Sequence, residues 1–205
     1  MIDTIVDLSH EDDVKDWGIV ANGGTVAAIH KASQGISFTD PLYSIRRMYS
    51  GREGLLWGAY HFATLADGGF QADRFLAAAQ PDSQTFLALD IEHNPDGGTV
   101  TLSQARSFVL RIHAATGRFP FIYGSDLLAD FCENEGDPIL AQCPLWIARH
   151  SVHPPVVPLG WKNWTLWQYL AGEDAVPADA LPGLGFVDRS RFAGDLTALK
   201  AVWSK

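Results

Sequence analysis

The chain has 205 residues, 47% of them hydrophobic and 19% charged, with a formal net charge of -9. That length and balance suit one globular unit with a sizeable core and exclude a disordered or low-complexity chain. The negative charge argues against nucleic acid or an anionic membrane surface as the main partner, because both call for basic patches.

Strand-like and helix-like stretches alternate through the first two thirds. Strands are predicted over 4–8, 26–30, 55–62, 85–92 and 119–123, and helices over 13–21, 41–50, 69–79, 102–115 and 126–132. The fourth helix opens on Thr101-Leu102-Ser103-Gln104, a capping-box pattern, and stops near Gly117. Beyond residue 140 the alternation lapses. Strands over 145–148, 164–169 and 186–192 are separated by segments rich in Pro and Gly, and a helix over 195–203 closes the chain. Five strand–helix units followed by three strands imply an α/β fold, an irregular eight-stranded (β/α) barrel resembling a TIM barrel, filled by a single catalytic domain over 1–205.

No apolar run reaches membrane-spanning length, so no membrane insertion is expected. The start, Met1-Ile2-Asp3, lacks a basic region and meets an acid at once. Synthesis in the cytoplasm without a recognisable signal peptide is therefore expected, by an export route the sequence does not specify. Cys132 and Cys143 are expected to be free thiols, although an oxidising compartment would let them close a small loop.

The chemistry concentrates in Thr85-Phe86-Leu87-Ala88-Leu89-Asp90-Ile91-Glu92. Side chains of a strand alternate faces, so Asp90 and Glu92 point to the same side. Like charges at short range oppose joint ionisation and push one pKa upward. A protonated carboxyl beside an ionised one is what glycosidic bond cleavage requires. Alone, such a pair reads better as two solvated residues where a loop begins. Asp7 near the end of the first strand and Asp188 in the last change the odds. Barrel sites lie at the C-terminal strand ends, and the first and eighth strands are neighbours on closure. Four carboxylates are thus expected at one mouth.

Other side chains weigh less. Tyr60 and Tyr123 end strands, so their hydroxyls are expected to reach the cleft and bind substrate. Trp167 is placed there too, as a plane for a sugar ring, with core packing the competing role. His10-Glu11-Asp12-Asp13 has metal-ligand residue types but reads better as a helix start, and no metal or other cofactor is expected. His61 and His93 read as strand packing and a solvated loop. Lys31 is expected to form an ion pair at the barrel mouth.

Taken in order, Val6-Asp7-Leu8-Ser9, Lys31-Ala32-Ser33-Gln34-Gly35, Asp40-Pro41 and Gly58-Ala59-Tyr60-His61-Phe62 form a recognisable series. Leu89-Asp90-Ile91-Glu92, Phe121-Ile122-Tyr123-Gly124 and Leu145-Trp146-Ile147-Ala148 extend it, as do Trp167-Gln168-Tyr169, Val187-Asp188 and Phe192-Ala193-Gly194. With this series the chain resembles the glycoside hydrolase family 25 lysozymes, the Chalaropsis-type muramidases, from end to end. The resemblance implies cleavage of the β-1,4 bond between N-acetylmuramic acid and N-acetylglucosamine in peptidoglycan glycan strands, by a monomer acting on the cell wall. It implies Asp7, Asp90, Glu92 and Asp188 as active-site acids, with Glu92 the general acid and Asp90, ionised, assisting the substrate. Two departures stand out: Asp188-Arg189-Ser190 replaces an Asp-x-Asn, and Arg149-His150 follows the Trp-Ile-Ala where a Tyr is usual. A chitinase-like hydrolase and a catalytically silent wall-binding barrel are the alternatives. Leu87-Ala88-Leu89 before the pair disfavours the first, and the intact acids disfavour the second.

Overall fold

In the computed structural model, which describes residues 1–204, the core element is a closed barrel. Its strands are β1 (Ile2–Leu8), β2 (Ala27–Gln34), β4 (Leu56–Phe62), β5 (Phe86–Ile91), β6 (Phe121–Gly124), β7 (Leu145–Ala148), β8 (Leu166–Leu170) and β9 (Asp188–Phe192). A two-residue strand, β3 (Phe38–Thr39), is appended antiparallel to the end of β2. Pairing runs β1-β9-β8-β7-β6-β5-β4-β2, and β2 pairs with β1 to close the ring. Every pairing among β1 to β8 in that ring is parallel, whereas β9 runs antiparallel to both β8 and β1.

The reversed strand was not expected from the sequence, and it has a direct consequence. Because β9 enters from the mouth, its first residue, Asp188, stands at the rim and pairs in register with Asp7 near the end of β1. A parallel eighth strand would have put its opening residue at the opposite end.

Alternation sorts the strand side chains into two cores. Ile5, Ile29, Phe86, Ala88, Phe121, Trp146, Leu166 and Phe192 fill the barrel interior. Val6, Ala28, Ala59, Leu87, Leu89, Ile122 and Trp167 face the surrounding layer. Gly58 is required by this packing, since a Cβ there would meet Phe86 and Ile29 at 3.0–3.1 Å. The layer's helices are α1 (Trp17–Asn22), α2 (Tyr43–Arg52), α3 (Gly68–Ala79), α4 (Leu102–Thr116) and the short α5 (Asp126–Phe131).

The capping pattern at Thr101 forms, its N–H donating to Gln104 Oε1 at 2.9 Å. Gly117, at φ 74°, ends the same helix. The first helix starts later than predicted, at Trp17, capped by Asp16. Residues 10–13 are held instead in a turn, where the Arg46 guanidinium donates to the carbonyls of Ser9 and Asp12. The last helix, α6 (Leu196–Trp203), plugs the end opposite the mouth. Leu199 and Trp203 join the interior core, and Trp203 Nε1 donates to the Trp57 carbonyl at 2.9 Å.

Candidate active site

The interior side chains change character towards the mouth. Below, they are mostly apolar; at the last inward step they become Asp7, Tyr60, Asp90, Tyr123, Gln168 and Asp188, with Glu92 immediately beyond β5. These residues border a cleft of about 510 Å³, with a pocket of about 80 Å³ beneath it. Asp7, Glu92 and Asp188 line both spaces, whereas Asp90 lines the deep pocket together with Trp146. The four predicted acids therefore share one site, as do Tyr60 and Tyr123.

Hydrogen bonds tie part of the cluster to Gln168, which is 1% exposed. Its Nε2 donates to Asp7 Oδ1 at 2.9 Å and to Asp188 Oδ2 at 3.1 Å. Its Oε1 accepts from the Tyr123 hydroxyl at 2.8 Å and lies 3.0 Å from His150 Nε2. Asp188 Oδ1 also accepts from the Gly172 N–H at 2.7 Å. Among the described residues, two carboxylate oxygens are buried and without a partner: Asp7 Oδ2 and Asp90 Oδ1.

Burial dominates the electrostatics. It raises Asp90 well above the ordinary carboxylate range, reinforced by the charge of Glu92 and opposed by Lys31. Glu92 is raised too, first by burial and then by Asp188, with His150 and Lys31 opposing. Asp7 is raised well above its ordinary value by burial and by Asp188, with the Gln168 hydrogen bond opposing. Burial thus acts on Asp90 as well as on Glu92, and favours the neutral form of the more enclosed Asp90.

Other expectations are met or corrected by placement. Trp167 does not reach the cleft. It faces outward into the helix layer, its Nε1 donating to the Arg149 carbonyl at 2.7 Å, because its neighbour Gln168 takes the inward face. Lys31 forms no ion pair among the described residues; its Nζ lies over the rings of Phe62 and Tyr60, at 5.3 and 5.8 Å from their centroids. His61 is a core histidine between Ser33 and Gln71, pushed down to about 4 by burial. His93 is exposed and lines neither space. Glu11 and Asp12 do border the cleft, while His10 bonds Asp40. Of the two departures, Ser190 lies one inward step below Asp188, accepting from Trp146 Nε1 at 2.9 Å and lining neither cavity. His150 does line the cleft. Cys132 and Cys143 are buried free thiols.

Residues 6–175 match the family model described as glycosyl hydrolases family 25. The chain belongs to that family. It is 32% identical to "Lysozyme M1" of Streptomyces globisporus over 96% of this chain and 70% of that protein. It is 29% identical to "N,O-diacetylmuramidase" of Chalaropsis sp, over 78% and 83% of the two chains. Its fold resembles the bacterial lysozyme from Streptomyces coelicolor at a TM-score of 0.85, with 31% identity over 97% of this chain and 95% of that one. The family makes this chain a glycoside hydrolase, and the carboxylate-lined mouth is where such chemistry would occur. Gln168 is the cleft residue that sequence reasoning passed over, and His150 was noted only as a departure from the family pattern. A polar Gln inside the apolar run Leu166-Trp167-Gln168-Tyr169-Leu170 was the available signal, since strand parity admits either Trp167 or Gln168 to the interior, not both.

Proposed function

We propose that the protein is a lysozyme, an N-acetylmuramidase that cleaves the β-1,4 bond between N-acetylmuramic acid and N-acetylglucosamine in peptidoglycan. The observation that carries this reading is the cluster of Asp7, Asp90, Glu92 and Asp188 bordering one cleft and its deep pocket. Family membership and the resemblance to lysozymes of other organisms support it.

Cleavage needs a proton on the leaving oxygen and support for positive charge at the anomeric carbon. Glu92, raised by burial yet bordering the open cleft, is the proton donor. Asp90 lies deeper, and its orphan Oδ1 suits an N–H from the substrate's 2-acetamido group. That hydrogen bond would favour the ionised form of Asp90 on binding, reversing what burial does in the free enzyme. The oriented acetamido oxygen then attacks the anomeric carbon as Glu92 protonates the departing oxygen. Water, deprotonated by Glu92, opens the resulting oxazolinium ion. Asp7 and Asp188 support the developing charge, held in place by Gln168. All of these groups come from one chain, in keeping with action as a monomer at the cell wall.

Two inversions at one carbon restore the β configuration. Proton NMR of the earliest product on purified peptidoglycan, before mutarotation, tests the mechanism. A β anomer is expected. An initial α anomer would overturn the acetamido route and leave Asp7 or Asp188 as base for direct attack by water. Parallel digestion of chitin oligosaccharides tests substrate class, since cleavage of chitin in preference to peptidoglycan would replace the muramidase reading.

A further inference from the structure

His150 stands at the cleft two residues beyond the end of β7. Its Nε2 is 3.0 Å from Gln168 Oε1, and its Nδ1 is 3.8 Å from an Asp174 carboxylate oxygen. Gln168 has a directional problem. Its nitrogen faces Asp7 and Asp188 and serves an acceptor oxygen of each, so its oxygen must turn to the other side. The Tyr123 hydroxyl cannot enforce this orientation, since it can either donate or accept. An imidazole Nε2–H can only donate, and so fixes the oxygen on its own side.

We propose that His150 is a positioning residue for the carboxylate cluster. Its Nε2–H orients the Gln168 amide that holds Asp7 beside Asp188, while its Nδ1 edge faces Asp174. The inference deepens the muramidase reading and rests on it for its kinetic consequences.

The groups facing His150 are mostly acidic. Glu92 lies at the end of β5, and Glu173 and Asp174 lie on the turn over 172–174 that follows β8. Asp7 and Asp188 are reached through Gln168, and Tyr123 shares the same amide oxygen. The neighbouring cation, Arg149, lines a separate groove beside α5. In these surroundings a neutral imidazole leaves the Nδ1 lone pair towards Asp174, and protonation turns that edge into a donor. A cation here also favours ionised Glu92. Its loss should therefore let the acid keep its proton to higher pH.

Two variants and one spectrum test this. His150→Phe removes both the donor and the charge. Its kcat should fall ~fivefold or more with little change in KM, the size expected for losing one neutral hydrogen bond. His150→Gln keeps a donor but cannot titrate. It should recover most of that kcat while the alkaline limb of the rate–pH profile moves up by about half a pH unit, as expected for removing one partly screened charge. Independently of activity, long-range proton–nitrogen NMR of the wild type should show the His150 Nε2–H tautomer. The proposal is overturned if the tautomer is Nδ1–H, or if folded His150→Phe keeps the wild-type kcat and profile. It is also overturned if His150→Gln is as impaired as His150→Phe with an unmoved profile. Absence of wall-degrading activity in the wild type would instead count against the muramidase reading, and the NMR result would stand apart from it.

Discussion

Glu92 and Asp90 are two residues apart at the end of β5, yet burial sets their surroundings apart. Glu92 borders the open cleft, while Asp90 is 5% exposed and keeps an oxygen without a partner. Glu92→Gln preserves shape and removes the transferable proton, so wall lysis should drop by at least about a hundredfold in a protein with an unchanged circular dichroism spectrum. Asp90→Asn should lower kcat by about the same factor with a smaller effect on KM, because its charge matters most when positive charge develops. A rise in KM alone would make Asp90 a binding residue. The raised carboxyls also predict a stability effect. Asp7, Asp90 and Glu92 hold protons in the folded state at pH values where the unfolded chain has released them. Their contribution to stability is therefore greatest below the ordinary carboxylate range and declines as pH rises towards their folded values. Thermal melts should show Asp90→Asn more stable than wild type at neutral pH and close to it near about pH 3. A lower Tm for the variant at neutral pH would contradict this sign.

Strand ends and strand parity decide what a sequence can reveal about a barrel. The apolar run ending in Asp90 and Glu92 reads as a buried strand whose last inward residues are acids, and Phe86–Ile91 is buried throughout. The same parity misassigned Trp167, because stacking chemistry suggested the aromatic while geometry required the neighbouring Gln168 to face inward. The direction of β9 was not legible. A long Pro- and Gly-rich connection can return a strand either way, and only register with β1 shows why Asp188 must open it. The turn over 10–13 was missed because its organiser, Arg46, is remote in sequence. The plug formed by α6 was foreseen as a helix but not as part of the interior. Trp203 packs against Phe86, with ring centroids 4.6 Å apart. Trp203→Ala should cost about 3–5 kcal/mol, as large buried aromatics do. Urea unfolding should show it, and a loss below about 1 kcal/mol would mean the barrel floor closes without it.

Acids are enriched across the protein, with 24 Asp and Glu against 15 Lys and Arg, and the mouth shares that bias. Such a field disfavours approach to an anionic envelope at low ionic strength, so activity on whole walls should rise as salt screens the repulsion. In the proposed mechanism the carboxylate cluster also sets the pH response. A protonated donor and an ionised partner must coexist, so the rate on peptidoglycan should be bell-shaped with an acidic optimum, and its limbs belong to the cluster and not to single residues. A flat profile from pH 4 to about 8 would contradict carboxylate acid catalysis. The identity of the new chain end decides the reaction itself. Purified peptidoglycan digested with the enzyme, reduced with borohydride and hydrolysed should yield muramitol, absent when Glu92→Gln is used. Glucosaminitol as the reduced product, or muramitol produced equally by Glu92→Gln, would contradict a muramidase acting through Glu92.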